Sequence, residues 1–496
     1  MKLAVACRTR RVAAMWRHGL PTMVAAVLAW AGTWGGAAEL VPPAATGEAP
    51  DIGRRAGEDW GAFLGPGGNG RSGLRGLRTP WPEQGPPVVW HCELGDGYCG
   101  PAVALGRALV FDRIGRDVRL RCLEAETGRK LWEERSPTDY VDMFGYDGGP
   151  RAAPVIARDR VLTFGPEGRL TCRRLGDGTR CWEVDTGRDY HVVPNFFGVG
   201  AAPLVVDGGD GPLVVVQVGG SRPGSAPPAP ERLDLVRGLD SGLVAFDLET
   251  GRERWRASDQ LASYSGPILA RLGGRDRILA WMRDRLLVVD PATGAVDAAF
   301  RWRADELFSA VCASPVVDGT QVLLSECYEP GSVLLDLAGG EPRPLRRDRP
   351  KARPGTALKA HWATPVLHQG HLYGVSGRNA GDAVLGCFDW QTGGVRWTEG
   401  GFGRASVAYA DGHLIVLGEY GDLALVRAVP DRYTEVSRAR LRDPAAGDLL
   451  AAPCWAAPVV ARGLGYVRGR GRLVCIALAA EEAAPPAVAP ADVLRR

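Results

Sequence analysis

The side chains best suited to chemistry in this chain of 496 residues recur at one offset from a repeated proline. Short alternating strands begin at Pro101, Pro154, Pro203, Pro267, Pro315, Pro365 and Pro458, with Ser406 in the equivalent place. Three positions before these starts stand Tyr98, Arg151, Gly200, Tyr264, Cys312, Trp362, Gly403 and Trp455. The ends of the following strands add Arg283, Arg378, Glu419 and Arg468. His361 lies beside Trp362, and Asn195 and Arg404 lie in the neighbouring irregular loops. If all of these face one opening, aromatic faces and guanidinium groups together can hold an anionic or ring-shaped ligand. The same side chains can instead simply plug the opening. The sequence leaves both readings standing.

Other chemistry has little support. The seven histidines are scattered, and His368 and His371 merely flank a short turn, "LHQGHL". There is no Cys-x-x-Cys among the eleven cysteines, which argues against a zinc ribbon, a thioredoxin-type site or a c-type haem. "GPGGNG" (65–70) is not followed by Gly-Lys-Ser/Thr, so phosphate binding is unsupported. Sixty basic against fifty-seven acidic residues, interspersed and nearly all arginine on the basic side, give a net charge of +3 and no nucleic-acid footprint. The expectation is no catalytic residue set and no metal.

The elements that must position these residues come from a repeat. "LRCLEAETGRKLW" (120–132) returns as "LTCRRLGDGTRCW" (170–182), "LVAFDLETGRERW" (243–255) and "LGCFDWQTGGVRW" (385–397). Each is a hairpin with a tight turn, preceded by a second alternating hairpin such as "APVIARDRVLTFG" (153–165). Eight such units of four short antiparallel strands predict an all-β, single eight-bladed β-propeller. A separate test comes from the ends. "PPVVWHCEL" (86–94) reads as an outer strand lacking its neighbour, and 473–477 as a third strand lacking an outer one. Pairing the two closes the ring and removes both edges.

Trp90, Trp132, Trp182, Trp255 and Trp397 recur at one outer-strand position, which suits packing between blades. Cys122, Cys172, Cys387 and Cys475 share another position and read as small buried apolar groups. Strand order puts the short turns on one face of the disc. The other face receives 134–151, 186–200, 301–312 and 398–405, which are long, aromatic and variable, and loops of that kind on a rigid scaffold carry binding.

At the N-terminus, arginines precede an apolar stretch and a small-residue end at Ala37-Ala38, the pattern of an export leader, cleaved or kept as an anchor. The domain reading is 1–38 signal peptide or anchor, 39–85 linker with a Gly-rich segment, 86–478 propeller, and 479–496 an Ala/Pro-rich tail. Two insertions break the rhythm: 221–238, Pro/Ser-rich and expected to be mobile, and 341–359, Pro-rich and basic, a solvated loop.

The hairpins "CLEAETGRKLW" and "AFDLETGRERW" resemble the repeat of the pyrroloquinoline-quinone (PQQ)-like propellers, a superfamily that includes quinoprotein alcohol dehydrogenases and BamB-like assembly scaffolds. "DWGAFLGPGGNGRS" (59–72), "GYDGGPRAAPV" and "NFFGVGAAPLVV" are similar to exported members of planctomycete type. The resemblance covers 86–478 and implies the fold, but little about activity. The dehydrogenases carry adjacent cysteines over the quinone and a calcium or lanthanide held by Glu, Asn and Asp. No adjacent cysteine pair exists here, and only Glu326 and Asn379 match by loop position. The resulting expectation is an exported, periplasmic or extracellular, monomeric scaffold that binds an envelope protein or glycan through its irregular face. It would have no nucleic-acid partner and no membrane span in the mature chain. The alternative is an oxidoreductase with PQQ and calcium in the central channel.

Overall fold

In a computed structural model of the chain, residues 57–349, 352, 353 and 355–480 are described. The leader, the first part of the linker and most of the tail lie outside them. No helix among the described residues is long and apolar enough to cross a membrane.

Eight antiparallel sheets of four strands form the propeller, one of them extended by a fifth strand. Blade one shows the plan: Ala102–Ala104, Arg107–Ile114, Asp117–Glu124 and Lys130–Pro137 lie in that order from the axis outward. Each repeat proline ends the preceding loop, and the innermost strand starts directly after it. The alternating apolar residues of the second and third strands are almost wholly buried, so every blade presents two apolar faces to its neighbours. The ring closes as the orphan strands require: Val88–Glu93 pairs antiparallel with Arg472–Ala477, and Trp90 stands opposite Cys475.

The spacing of Thr-Gly and Trp has a packing cause. Gly128, Gly178, Gly251 and Gly294 sit at φ near +70°, where L side chains rarely go. A Cβ on any of them would also meet the ring of the preceding blade's Trp at 2.6–2.8 Å. Those rings, Trp90, Trp132, Trp182 and Trp255, each donate Nε1–H to a backbone carbonyl of the next blade, at 2.8–3.0 Å. Trp397 does the same to Val429, at 2.9 Å. Blade five lacks a Trp there, and Arg346 reaches toward Trp390 and Gly393 in its stead.

Three stretches differ from the sequence expectation. In the insertion 341–359, Arg343–Arg347 forms the outer strand of blade five and Leu358 is buried, where a solvated loop is expected. Residues 57–78 do not trail away as a linker. Trp60 bridges Val103, Gly61 accepts from Ile156, and Gly68 and Gly70 lie against Ile268 and Val366. Arg71–Ser72 then adds a parallel strand to Ser406–Ala410, and Leu77 bridges Ala479. Glycines allow this close passage across the innermost strands, and Trp60, almost fully buried, fixes it. The insertion 221–238 likewise folds back on itself. Ser221 bridges Gly238, and Leu233 and Val236 pack on Phe196, an apolar footing that its Pro/Ser content concealed.

Candidate functional site

On the loop face the channel opens into a cavity of about 640 Å³. Its floor is Phe63 and Leu64, carried there by the segment that crosses the innermost strands. The channel is therefore a bowl closed from the short-turn side.

Its wall is a chain of touching rings. Tyr98 meets Trp455 at 4.9 Å between centroids, Trp455 meets Trp362 at 4.9 Å, and Trp362 meets His361 at 4.3 Å. From Trp455 the chain runs through Tyr146 to Phe197, which touches Tyr264 and Phe144, and on to Phe308. The far end comes into solvent: Phe144, Tyr146 and Phe308 are exposed, beside exposed Val141, Met143 and Leu307.

The arginines of the wall each carry a carboxylate already. Arg404 lies over Trp362 and Trp455, at 5.0 and 4.9 Å, and its Nε donates to Glu419 at 3.0 and 3.1 Å. Glu419 also accepts from Trp455 Nε1 at 3.0 Å. Burial raises the Glu419 carboxyl, but the Arg404 hydrogen bonds outweigh it and leave it below the usual range. Arg151, over Tyr98 and Phe197, binds Asp142 at 2.8 Å. Arg378, over Tyr328, binds Glu306 at 3.1 Å. The bowl thus presents arginine planes without a surplus of positive charge.

Two polar atoms in the wall are unpaired: Trp362 Nε1 and His361 Nδ1 are buried without a hydrogen-bond partner. Burial, with Arg404 and Arg378 nearby, lowers the His361 imidazole to about 3, so it is neutral at physiological pH. Tyr264 accepts from the Phe197 backbone at 2.8 Å, and burial holds its phenol well above the ordinary range.

Of the residues singled out by sequence, Tyr98, Arg151, Tyr264, His361, Trp362, Arg378, Arg404 and Trp455 share the cavity. Asn195 does not line it: its side chain accepts from Phe196 N–H and donates to Ala262, shaping the loop behind. Arg283 is buried behind Phe196, at 5.9 Å from its ring, and desolvation with Arg303 lowers its guanidinium to about 10. Arg468 donates to the Cys99 and Phe111 carbonyls and lines a smaller neighbouring cavity of about 140 Å³. Sequence reasoning missed Phe63, Phe144, Tyr146, Phe197 and Phe308 as a set. The runs "DMFGYDGG" and "PNFFGVG" held the signal, but nothing in one loop says which other loop it meets.

Of the positions suggested for a dehydrogenase-type metal, Asn379 lines the cavity and is bound to Asp382. Glu326 is buried and is not part of the cavity wall. Among the described residues no three His, Cys, Asp or Glu side chains group to hold an ion.

Residues 84–222 and 221–399 match the family described as outer membrane protein assembly factor BamB. The chain belongs to this PQQ-like propeller family. Among solved structures it is similar to BamB from Moraxella catarrhalis, at 14% identity and a TM-score of 0.54, covering 79% of this chain and 100% of that one. It is also similar to the quinohemoprotein alcohol dehydrogenase from Comamonas testosteroni, at 13% identity and a TM-score of 0.45, covering 86% and 82%. The likeness to the Moraxella protein concerns the fold. No curated protein matches the chain.

Proposed function

We propose that this chain is a non-catalytic, polypeptide-binding propeller of BamB type that docks an extended, aromatic-bearing segment of an envelope protein on its loop face. One observation carries the reading: the ring system runs without a break along the wall of the bowl to an exposed apolar rim, where Val141 is 81% exposed. A single small ligand fills the bowl and leaves that rim in water. A chain that inserts one side chain and lies along the loops covers both, which is the usual meaning of an exposed apolar patch at a pocket's mouth. A glycan fits the rings, but Val141, Met143 and Leu307 offer its hydroxyls no partner. The export leader expected from the sequence suits an envelope setting, as does the assembly role named for the matching family.

The quinone reading fits less well. PQQ carries three carboxylates, and Arg151, Arg378 and Arg404 are already bound to Asp142, Glu306 and Glu419. The residues present do not make the anion site and metal site that the cofactor needs.

The test is a tryptophan-fluorescence titration of the full chain with soluble peptides that differ in one central residue. Saturable change with Trp, Tyr or Phe at that position, absent with Gly and lost in Trp362→Ala, supports the reading. Saturation by a chito- or malto-oligosaccharide with none by peptides would replace it with glycan binding. Saturation by PQQ with calcium would replace it with the cofactor reading.

A further inference from the structure

Every blade carries a β-bulge at one place in its outermost pairing, so two outer-strand residues oppose one residue of the third strand. In four blades the residue opposite is a buried cysteine: Cys122, Cys172, Cys387 or Cys475. The residue inserted across from three of these is Leu131, Arg396 or Val89. Only in blade two is it a second cysteine. There Arg180 pairs with Arg173 and Trp182 with Cys172, which leaves Cys181 as the extra residue facing Cys172.

We propose that Cys172 and Cys181 form a disulfide that joins the third and outer strands of blade two when the protein meets a thiol-oxidising environment. Adjacent strands bring paired backbones within the separation that a disulfide spans. The two side chains lie close enough for Cys181 to act directly on the Cys172 thiol. Cys181 is exposed, so a soluble disulfide can reach it, while Cys172 is enclosed behind it. No other cysteine among the described residues faces a partner across a bulge.

With oxidised glutathione as the oxidant, the Cys181 thiolate attacks one glutathione sulfur, forming a mixed disulfide and releasing one reduced glutathione. Cys172 then loses its proton to solvent and attacks Cys181 Sγ, and the second glutathione leaves as thiolate. Two thiols are oxidised and one glutathione disulfide is reduced. The groups facing the pair are Arg160, which favours the Cys172 thiolate, and the Asp159 and Glu249 carboxylates that bind Arg160, Glu249 opposing that thiolate. Burial pushes the Cys172 thiol up to about 12, so the second step is the slow one and quickens as pH rises. The cross-link would fix the strand Arg180–Asp185, which leads straight into the loop 186–200 and hence to Phe197 on the bowl.

The experiment incubates the folded full chain with oxidised glutathione, blocks remaining thiols, and digests with trypsin. A fragment joining residues 170–173 to 181–188, two hydrogens lighter than its parts, is expected. It should be absent in Cys181→Ser, and oxidation should raise the Tm of the native chain but not of that variant. A persistent glutathione adduct on Cys181 with Cys172 still alkylatable after unfolding, or a cross-link to a different cysteine, overturns the proposal.

Discussion

Glu326→Gln is the substitution with the clearest expected sign. Glu326 follows the second strand of blade five and is 1% exposed, with neither carboxylate oxygen paired to a donor at hydrogen-bonding geometry. Desolvation raises its carboxyl from an ordinary 4.5 to about 7. The Ala304 backbone, Arg303 and Lys359 pull it back only part way, and Glu306 pushes it further up. The folded state therefore holds the proton more tightly than the unfolded chain. Between pH 4.5 and 7 the folded form carries more protons, so stability falls as pH rises through that window and levels off above it. Keeping the group ionised at pH 8 costs about 3 kcal/mol by this linkage. Glutamine has nearly the same shape and never ionises, so Glu326→Gln should be more stable than the native chain by up to about 3 kcal/mol at pH 8. It should be indistinguishable near pH 4. For about 420 described residues that is a rise of roughly 3–4 °C in Tm. The assay is thermal unfolding of both proteins at half-unit pH steps from 4 to 8.5. Parallel curves, with no divergence between pH 4.5 and 7, would refute the claim that Glu326 is buried without adequate compensation.

Three further outcomes are expected. Trp182→Ala removes a buried indole and its bond to the Leu248 carbonyl, and should cost about 3–5 kcal/mol in denaturant unfolding. Gly251→Ala puts a Cβ against that same ring, so the two substitutions together should be less destabilising than their sum in a double-mutant cycle. His361 is neutral in the folded chain and protonatable when unfolded, so it should withdraw stability as pH falls from about 6.5 toward 3. Its imidazole signals should not titrate above pH 5 by NMR, and His361→Gln should flatten the acid side of the stability curve. Phe63→Arg should open the floor of the bowl and weaken peptide binding at unchanged secondary structure, read by fluorescence and circular dichroism.

The propeller was legible because its instructions are local and repeated. A Pro before seven of the eight inner strands, a Thr-Gly turn and a Trp on the outermost strand are each fixed by contacts inside one blade or with its neighbour. Gly128 under Trp90 is the same contact as Gly251 under Trp182, so eight imperfect copies reinforce one another. The ring closure was legible for a different reason: two unpaired strands at opposite ends of a repeat leave one solution. The offset from the repeat proline also located much of the bowl, since equivalent positions in a ring of blades face the same axis. It failed at Arg283, where the side chain turns behind Phe196, and at Asn195, which serves its own loop. The floor and rim were not legible. Phe63 and Leu64 reach the channel because a glycine-rich segment crosses several blades, and Phe144 finds Phe308 across the ring. Such contacts join segments whose spacing follows no repeat. Composition misled at 221–238, where Leu233 and Val236 outweigh the surrounding prolines.

Site-specific photocross-linking compares the two faces of the disc most directly. A photoreactive phenylalanine analogue replaces Tyr146, exposed on the rim of the bowl, or Leu105, 59% exposed in a short turn on the opposite face. Each full-length protein is irradiated with one labelled aromatic-centred peptide. Polypeptide docking on the loop face predicts a saturable adduct from position 146, competed by unlabelled peptide, and none from position 105. A competed adduct from position 105 with none from 146 would contradict it.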